Sequence, residues 1–343
     1  AARRPVRPEA GGARMKTFSP CLALLVLAAL APAVLPKFLL LQLSMALCFA
    51  LAILGLNLLL GFAGQVCLAQ GALFAVGAYT TAILSAKAGW HPLATLLPAA
   101  CAAALAGLAI GLPALRLGGL QLAIVTFGVA VLVPQLILKF DRLTQGVTGV
   151  SFDVPAPPSG LPMAPDVWLY AICVGVVALC MGLAMRVLRG DTGRSLRAMR
   201  DNELVARSMG VDLMRLRLSA FALSSAFAGL GGGLYAILNG YVSPQSFLAG
   251  KSIEILIGAI VGGITSLPGA LLGALFVVFV PEWTSDLSPA LGGLIYGACL
   301  VAMMLVARDG LAGLAVRGFA RWRKAFFPIR PVAAITLPQE TPP

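Results

Sequence analysis

The sequence predicts an all-α polytopic membrane protein of about ten transmembrane helices, some broken or re-entrant, with both termini cytoplasmic. Three observations lead there. Of 343 residues, 59% are hydrophobic and only 11% charged, where soluble domains carry about 25% charged residues. The apolar residues come in runs close to the roughly 20 needed to cross a bilayer. The net charge of +12 sits in blocks between those runs. The positive-inside rule explains such blocks with nothing added, so nucleic acid is not required as a partner.

Residues 1–14, rich in Arg, Pro and Gly, precede Met15 and are read as lying outside the fold. Lys16, the apolar Cys21–Leu30 and Ala31-Pro32-Ala33 have the layout of a signal peptide. A second apolar span follows almost at once, however, and the orientation count needs a crossing here, so an uncleaved first helix is preferred. The apolar spans fall at about 19–35, 38–60, 70–86, 92–114, 118–138, 167–188, 217–239, 252–265, 268–282 and 289–307. The segments 252–265 and 268–282 are short for a straight crossing. Ten crossings from a cytoplasmic N-terminus gather Arg116, the block 186–217 and the tail residues Arg308, Arg317, Arg321, Arg323 and Lys324 on one side. The other side receives 87–91, 139–166, 240–251 and 281–288, and with them Trp90, Trp168, Tyr241 and Trp283 as interfacial aromatics. Segment 139–166, with Gln145–Gly149 and then Pro155, Pro157 and Pro158, reads as a stiff, turn-rich cap without helical period. Residues 315–343 form a basic, then Pro-rich tail expected to be disordered.

The long polar interruption from Arg186 to Arg217 organises the rest. It holds eight arginines against Asp191, Asp201, Glu203 and Asp212. One arginine at the bilayer centre costs about 2.5–3.5 kcal/mol on insertion scales, so the segment lies outside the hydrocarbon. Leu196, Met199, Leu204, Ala206 and Met209 recur at spacings that suit two short helices with a sparse apolar face. Asp201 or Asn202 can cap the second helix, Gly210 can stop it, and Asp212 can cap the membrane helix that follows. A structured, basic, partly apolar elbow of this kind predicts a docking surface for another protein.

No enzyme constellation is present in the sequence: no Gly-rich phosphate loop ending in Lys-Ser/Thr, no His-Glu-x-x-His, and a single histidine, His91, in a short loop. The seven cysteines lie in or beside apolar runs without paired spacing and read as core residues, not as ligands or disulfides. No cofactor or metal is expected. Glu254 and Glu282 lie near span ends, and Ser252 with Glu254 suits the first turn of a helix. An ion-coupled carrier therefore has little to stand on. Uncharged polar residues crowd 55–81, including Asn57, Gly61, Gly64, Gln65, Gln70, Gly77, Tyr79 and Thr80. Gly61-Phe62-Ala63-Gly64-Gln65 predicts a break in the second span, either a re-entrant lining of a translocation path or a site of close helix packing. Gly262–Gly269 is a second candidate break. Small-residue pairs (Gly107/Gly111, Gly229/Gly233, Gly258/Gly262, Gly269/Gly273 and Gly293/Gly297) predict helix packing.

The motifs Gly55–Gln65, Gly77–Thr80, Leu196–Gly210, and Ser252–Leu256 through Gly262-Gly263, with Gly269 and Pro281-Glu282, resemble those of branched-chain amino acid ABC transporter permeases. The similarity runs from about 38 to 314. Arg116–Thr126 and Thr144–Gly149 resemble the M-type subunit more than the H-type. Cys67, Ala69 and Gln70 depart from the usual residues, as does Gln145-Gly146-Val147, which bears on substrate identity and not on architecture. The resemblance implies a permease domain over 15–314 with a cytoplasmic coupling loop at 189–216 and a periplasmic loop at 139–166. It implies an inner-membrane importer: an H-type permease partner, two cytoplasmic ATPase subunits, a periplasmic substrate-binding protein, and a branched-chain or other apolar amino acid as cargo. Relatives that carry urea or short amides are the near alternative. Arg197, Asp201, Glu203, Ala206 and Gly210 would belong to the coupling loop. Asn57, Gly61, Gly64, Gln65, Gln70, Tyr79, Thr80 and Glu254 would line the path.

Overall fold

The computed structural model describes residues 36–114, 119–157, 164–287, 292–306 and 310–314. The expected span at 19–35, Arg116, Arg308 and the tail beyond 314 lie outside these residues, as does the segment 1–14. Every other apolar run is helical. In chain order the elements are α1 (Lys37–Asn57, continued by a π-turn Leu58–Phe62), α2 (Gln70–Ala88), α3 (Leu96–Ala114), α4 (Gly119–Lys139), the single turn α5 (Asp141–Thr144) and β1 (Val150–Ser151). Then come α6 (Pro165–Arg189), α7 (Asp191–Asp201), α8 (Glu203–Ser208), α9 (Leu213–Asn239), β2 (Tyr241–Val242), α10 (Ala249–Gly262), α11 (Leu267–Leu287) and α12 (Gly292–Val306).

Seven of these helices (α1, α2, α3, α4, α6, α9 and α11) are long and apolar enough to cross a membrane. With 14 residues, α10 extends only about 21 Å at 1.5 Å per residue, short of a hydrocarbon core about 30 Å thick. α12, with 15 residues, is similarly short. The predicted span at 217–239 is extended to Leu213 because Asp212 accepts from the Met214 and Arg215 amides (both 3.1 Å) and starts the helix early.

The bundle is built on α9, which lies against α1, α2 and α3. Its glycines are divided among these neighbours. A Cβ on Gly229 would meet Ala103 of α3 at 2.4 Å, and one on Gly231 the Cys48 carbonyl of α1 at 2.5 Å. One on Gly232 would come within 1.9 Å of the Phe74 carbonyl of α2. Lipid tails are as apolar as leucine, so helices in a bilayer associate through such close packing and not through hydrophobic exclusion. A second seam joins α10 to α11, where Gly258 and Gly262 face Gly273 and Gly269 backbone to backbone. Gly293 and Gly297, by contrast, have none of the described residues within contact distance.

The segment after α4 is more ordered than its sequence implied. α5 and a 3-10 turn (Gly146–Thr148) lead into β1, which pairs antiparallel with β2, Val150 opposite Val242 and Ser151 opposite Tyr241. The Tyr241 hydroxyl donates to the Thr148 carbonyl at 2.8 Å. The two loops at the end remote from the elbow are therefore clipped together. A run dominated by turn residues gave no period to read, and the pairing partner lies about 90 residues away in the chain, beyond any local pattern.

Gly232→Ala is expected to destabilise the detergent-solubilised protein by about 1–3 kcal/mol, because the added methyl has backbone in its place. A lowered thermal unfolding midpoint would show it, and Gly297→Ala should leave that midpoint where it is.

Candidate functional site

The elbow between α6 and α9 consists of the two helices that its sequence predicts. Asn202, not Asp201, caps α8: its Oδ1 accepts from the Leu204 and Val205 amides at 3.1 and 3.2 Å. Gly210 has φ +81°, the left-handed conformation that turns the chain out of α8 and toward Asp212. The apolar residues divide in two. Leu196, Met199 and Ala206 are buried within the chain, Ala206 at 1% exposure, whereas Leu204 and Met209 stand 78% exposed and Val205 and Met214 more than half exposed. The outward tip is thus Leu204, Val205, Met209 and Met214, and the side chain of Ala206 supports it from inside.

Three arginines brace this tip against three membrane helices. Arg197 donates through Nη2 to the Leu188 carbonyl of α6 at 2.6 Å and through Nε to Gly193 at 3.0 Å. Arg217 of α9 pairs with Glu203 at 2.6 Å, with the arginine side chain only 16% exposed. Arg200 donates to the Gly61 carbonyl at the end of α1 at 2.5 Å. Asp201, 3.9 Å from Arg200 and largely exposed, adds an ion pair of little energetic weight. Arg197 and Glu203 therefore serve inside the chain, which the residue types alone did not reveal.

The predicted breaks are both real, and they touch. α1 widens into its π-turn at Leu58–Phe62, and irregular chain runs from Ala63 to Ala69. α10 stops at Gly262, and α11 begins at Leu267. A Cβ on Gly61 would lie 2.0 Å from the Ile264 carbonyl, and Asn57 Nδ2 donates to the Ser266 carbonyl at 3.2 Å. The irregular link is held to α4 by the Leu68 amide donating to Thr126 Oγ1 at 2.9 Å. The backbone leaves the helix here, and it does so in tight contact, as the close-packing reading expects.

Among the proposed path residues, Gln70 is wholly buried. Its Nε2 donates to the Ala52 and Ser224 carbonyls at 3.2 and 3.3 Å, and Ser224 Oγ donates to Gly55 at 2.7 Å, joining α1, α2 and α9. Thr80 donates back along its own helix to Val76. Gly64 is exposed beside the elbow. Asn57 Oδ1, Gln65 Oε1, Gln70 Oε1 and Tyr79 OH are buried and accept nothing from the described residues. Buried polar atoms are normally satisfied, so each of these four has bonding capacity left unused by the described residues. Tyr79 also edges an aromatic cluster with Phe247, Phe74, Tyr235 and Phe49. Above Phe49 lies Lys251, its Nζ 5.2 Å from the ring centre, and Lys251 pairs with Glu254 at 2.7 Å. Sequence reasoning named Glu254 but missed Lys251, Ser224 and the cluster. The i, i+3 spacing of Lys251 and Glu254 was a readable signal; the meeting of four segments at the aromatic residues was not.

Asn202→Ala removes the cap of α8, for a loss of about 1 kcal/mol. The expected result is faster amide exchange at 203–208, with exchange in the middle of α9 unchanged.

Residues 38–304 match the family described as branched-chain amino acid transport system / permease component. The high-affinity branched-chain amino acid transport system permease protein LivM of Escherichia coli is 32% identical over 330 residues, covering 89% of this chain and 77% of that one. LivM of Salmonella typhimurium is 32% identical with the same coverage. A probable branched-chain amino acid transport permease protein LivH of Methanocaldococcus jannaschii is 32% identical over 148 residues, 40% of this chain and 46% of that one. No solved structure matches. The chain is a multi-pass membrane permease subunit and belongs to the branched-chain amino acid transport system permease family.

Proposed function

We propose that this chain is one of the two membrane subunits of an ATP-driven importer and passes branched-chain or similar apolar amino acids across the inner membrane. An H-type permease is its partner in the membrane. Two ATPase subunits dock beneath, and a periplasmic binding protein delivers the substrate. Ten crossings with both termini inside would place the elbow in the cytoplasm, where the ATPases are. The observation that carries this reading is the elbow's construction: a rigidly braced tip that leaves Leu204, Val205, Met209 and Met214 uncovered. Exposed apolar side chains grouped on a rigid support are the mark of a protein–protein contact. The likeness to LivM names the transport class.

An ion-coupled carrier is the second reading, and Glu254 is its natural centre. Glu254 is already engaged by Lys251, which favours a structural or substrate-facing role over reversible protonation. Urea or short amides remain the alternative cargo within the importer reading.

Purification of the tagged chain from its native host in mild detergent is expected to bring down a second permease and a pair of ATPase subunits. Leu204→Glu or Met209→Glu should release the ATPases and leave the permease pair intact, and Gly210→Asp should do the same by redirecting the turn. Proteoliposomes of the whole complex, supplied with the binding protein, should take up leucine, isoleucine or valine in preference to urea. Uptake by the chain alone without ATP would overturn the importer reading in favour of the carrier.

A further inference from the structure

We infer that Arg200 is the positioning residue through which movement of the elbow enters the broken core of α1; this rests on the importer reading above. Arg200 occupies the last turn of α7. Its guanidinium donates to the Gly61 carbonyl at 2.5 Å. In a continued α-helix that carbonyl would accept the amide of Gln65, but the Gln65 amide is turned to the Leu59 carbonyl instead, at 2.9 Å. Arg200 therefore supplies the hydrogen bond that the break has taken away, and it does so with a charged donor, the stronger kind. Its stem also lies on Gly64: a Cβ there would stand 2.9 Å from Arg200 Cγ, and Gly64 has φ +69°. One side chain from the elbow thus holds both glycines that bracket the end of α1.

The other face of that end is committed as well. Gly61 abuts the Ile264 carbonyl, and Asn57 donates to Ser266, so the break between α10 and α11 is seated on the same residues. Drawing Arg200 away would leave the Gly61 carbonyl without its donor, so the end of α1 follows the elbow, and the second break follows α1. Arg197 and the Arg217–Glu203 pair reach the ends of continuous helices, α6 and α9, and provide anchorage. Arg200 reaches a discontinuity, where backbone can rearrange.

The test is made on the whole transporter in proteoliposomes with its binding protein, comparing the parental chain with Arg200→Met and Arg200→Lys. Arg200→Met is expected to assemble with its ATPases and hydrolyse ATP, while substrate moved per ATP falls by about tenfold, the scale of a common coupling free energy. Arg200→Lys, which can still donate to the carbonyl, should recover part of that ratio. A parental ratio in Arg200→Met overturns the inference. So does loss of the assembled complex in both variants, which would make Arg200 a structural brace. A parental chain that holds no ATPase sinks the importer reading itself, which is a separate result.

Discussion

Backbone pressed on backbone along α9 is the contact on which this molecule depends. Gly229, Gly231 and Gly232 each admit a different helix to within a distance that a single methyl would forbid. The gain is dispersion and weak polar contact summed over three interfaces, in a solvent that offers no hydrophobic drive to hold the helices together. The polar tie at Gln70 joins the same helices, since α1, α2 and α9 all contribute to it. Close packing and a buried hydrogen-bond cluster therefore specify one arrangement at the centre, and the ends are free to carry function.

At the elbow end, order is achieved by different means. Leu196, Met199 and Ala206 supply only a small buried apolar face. What fixes the two helices is side-chain capping by Asn202 and Asp212 and the reach of Arg197, Arg200 and Arg217 to three membrane helices. The arginine block from which the sequence reading took its orientation thus has a structural task. Its length and forked donors bind the elbow to the bundle.

Much of this was legible in the sequence because the governing signals are local. Apolar runs gave the helices, Asn202, Gly210 and Asp212 gave the elbow's punctuation, and Gly61–Gln65 and Gly262–Gly269 gave the breaks. The pairs at 107/111, 229/233, 258/262 and 269/273 do pack, while Gly293/Gly297 meets none of the described residues, since spacing alone cannot say whether a partner is present. The elbow's apolar residues were correctly grouped, but their division into an inner and an outer set depends on where α6, α9 and the end of α1 stand. That the two breaks meet, with Arg200 upon them, is a fact of tertiary proximity across 139 residues of chain for the hydrogen bond alone. No periodicity records it.

The chemistry of the braces has a consequence for how the protein responds to its ionic surroundings. Arg197 and Arg200 reach the bundle through neutral carbonyls, the contact of Arg200 with Asp201 staying within the elbow, and Arg217 meets the Glu203 carboxylate. Salt weakens attraction between exposed charges, with a screening length of about 8 Å at physiological strength, but it does little to a directed hydrogen bond with an uncharged acceptor. The elbow's hold on its own bundle is therefore largely indifferent to ionic strength, whereas the surface arginines 194, 207 and 215 face solvent and feel it fully. Attachment and outward recognition answer to different conditions, so one can be tuned without loosening the other.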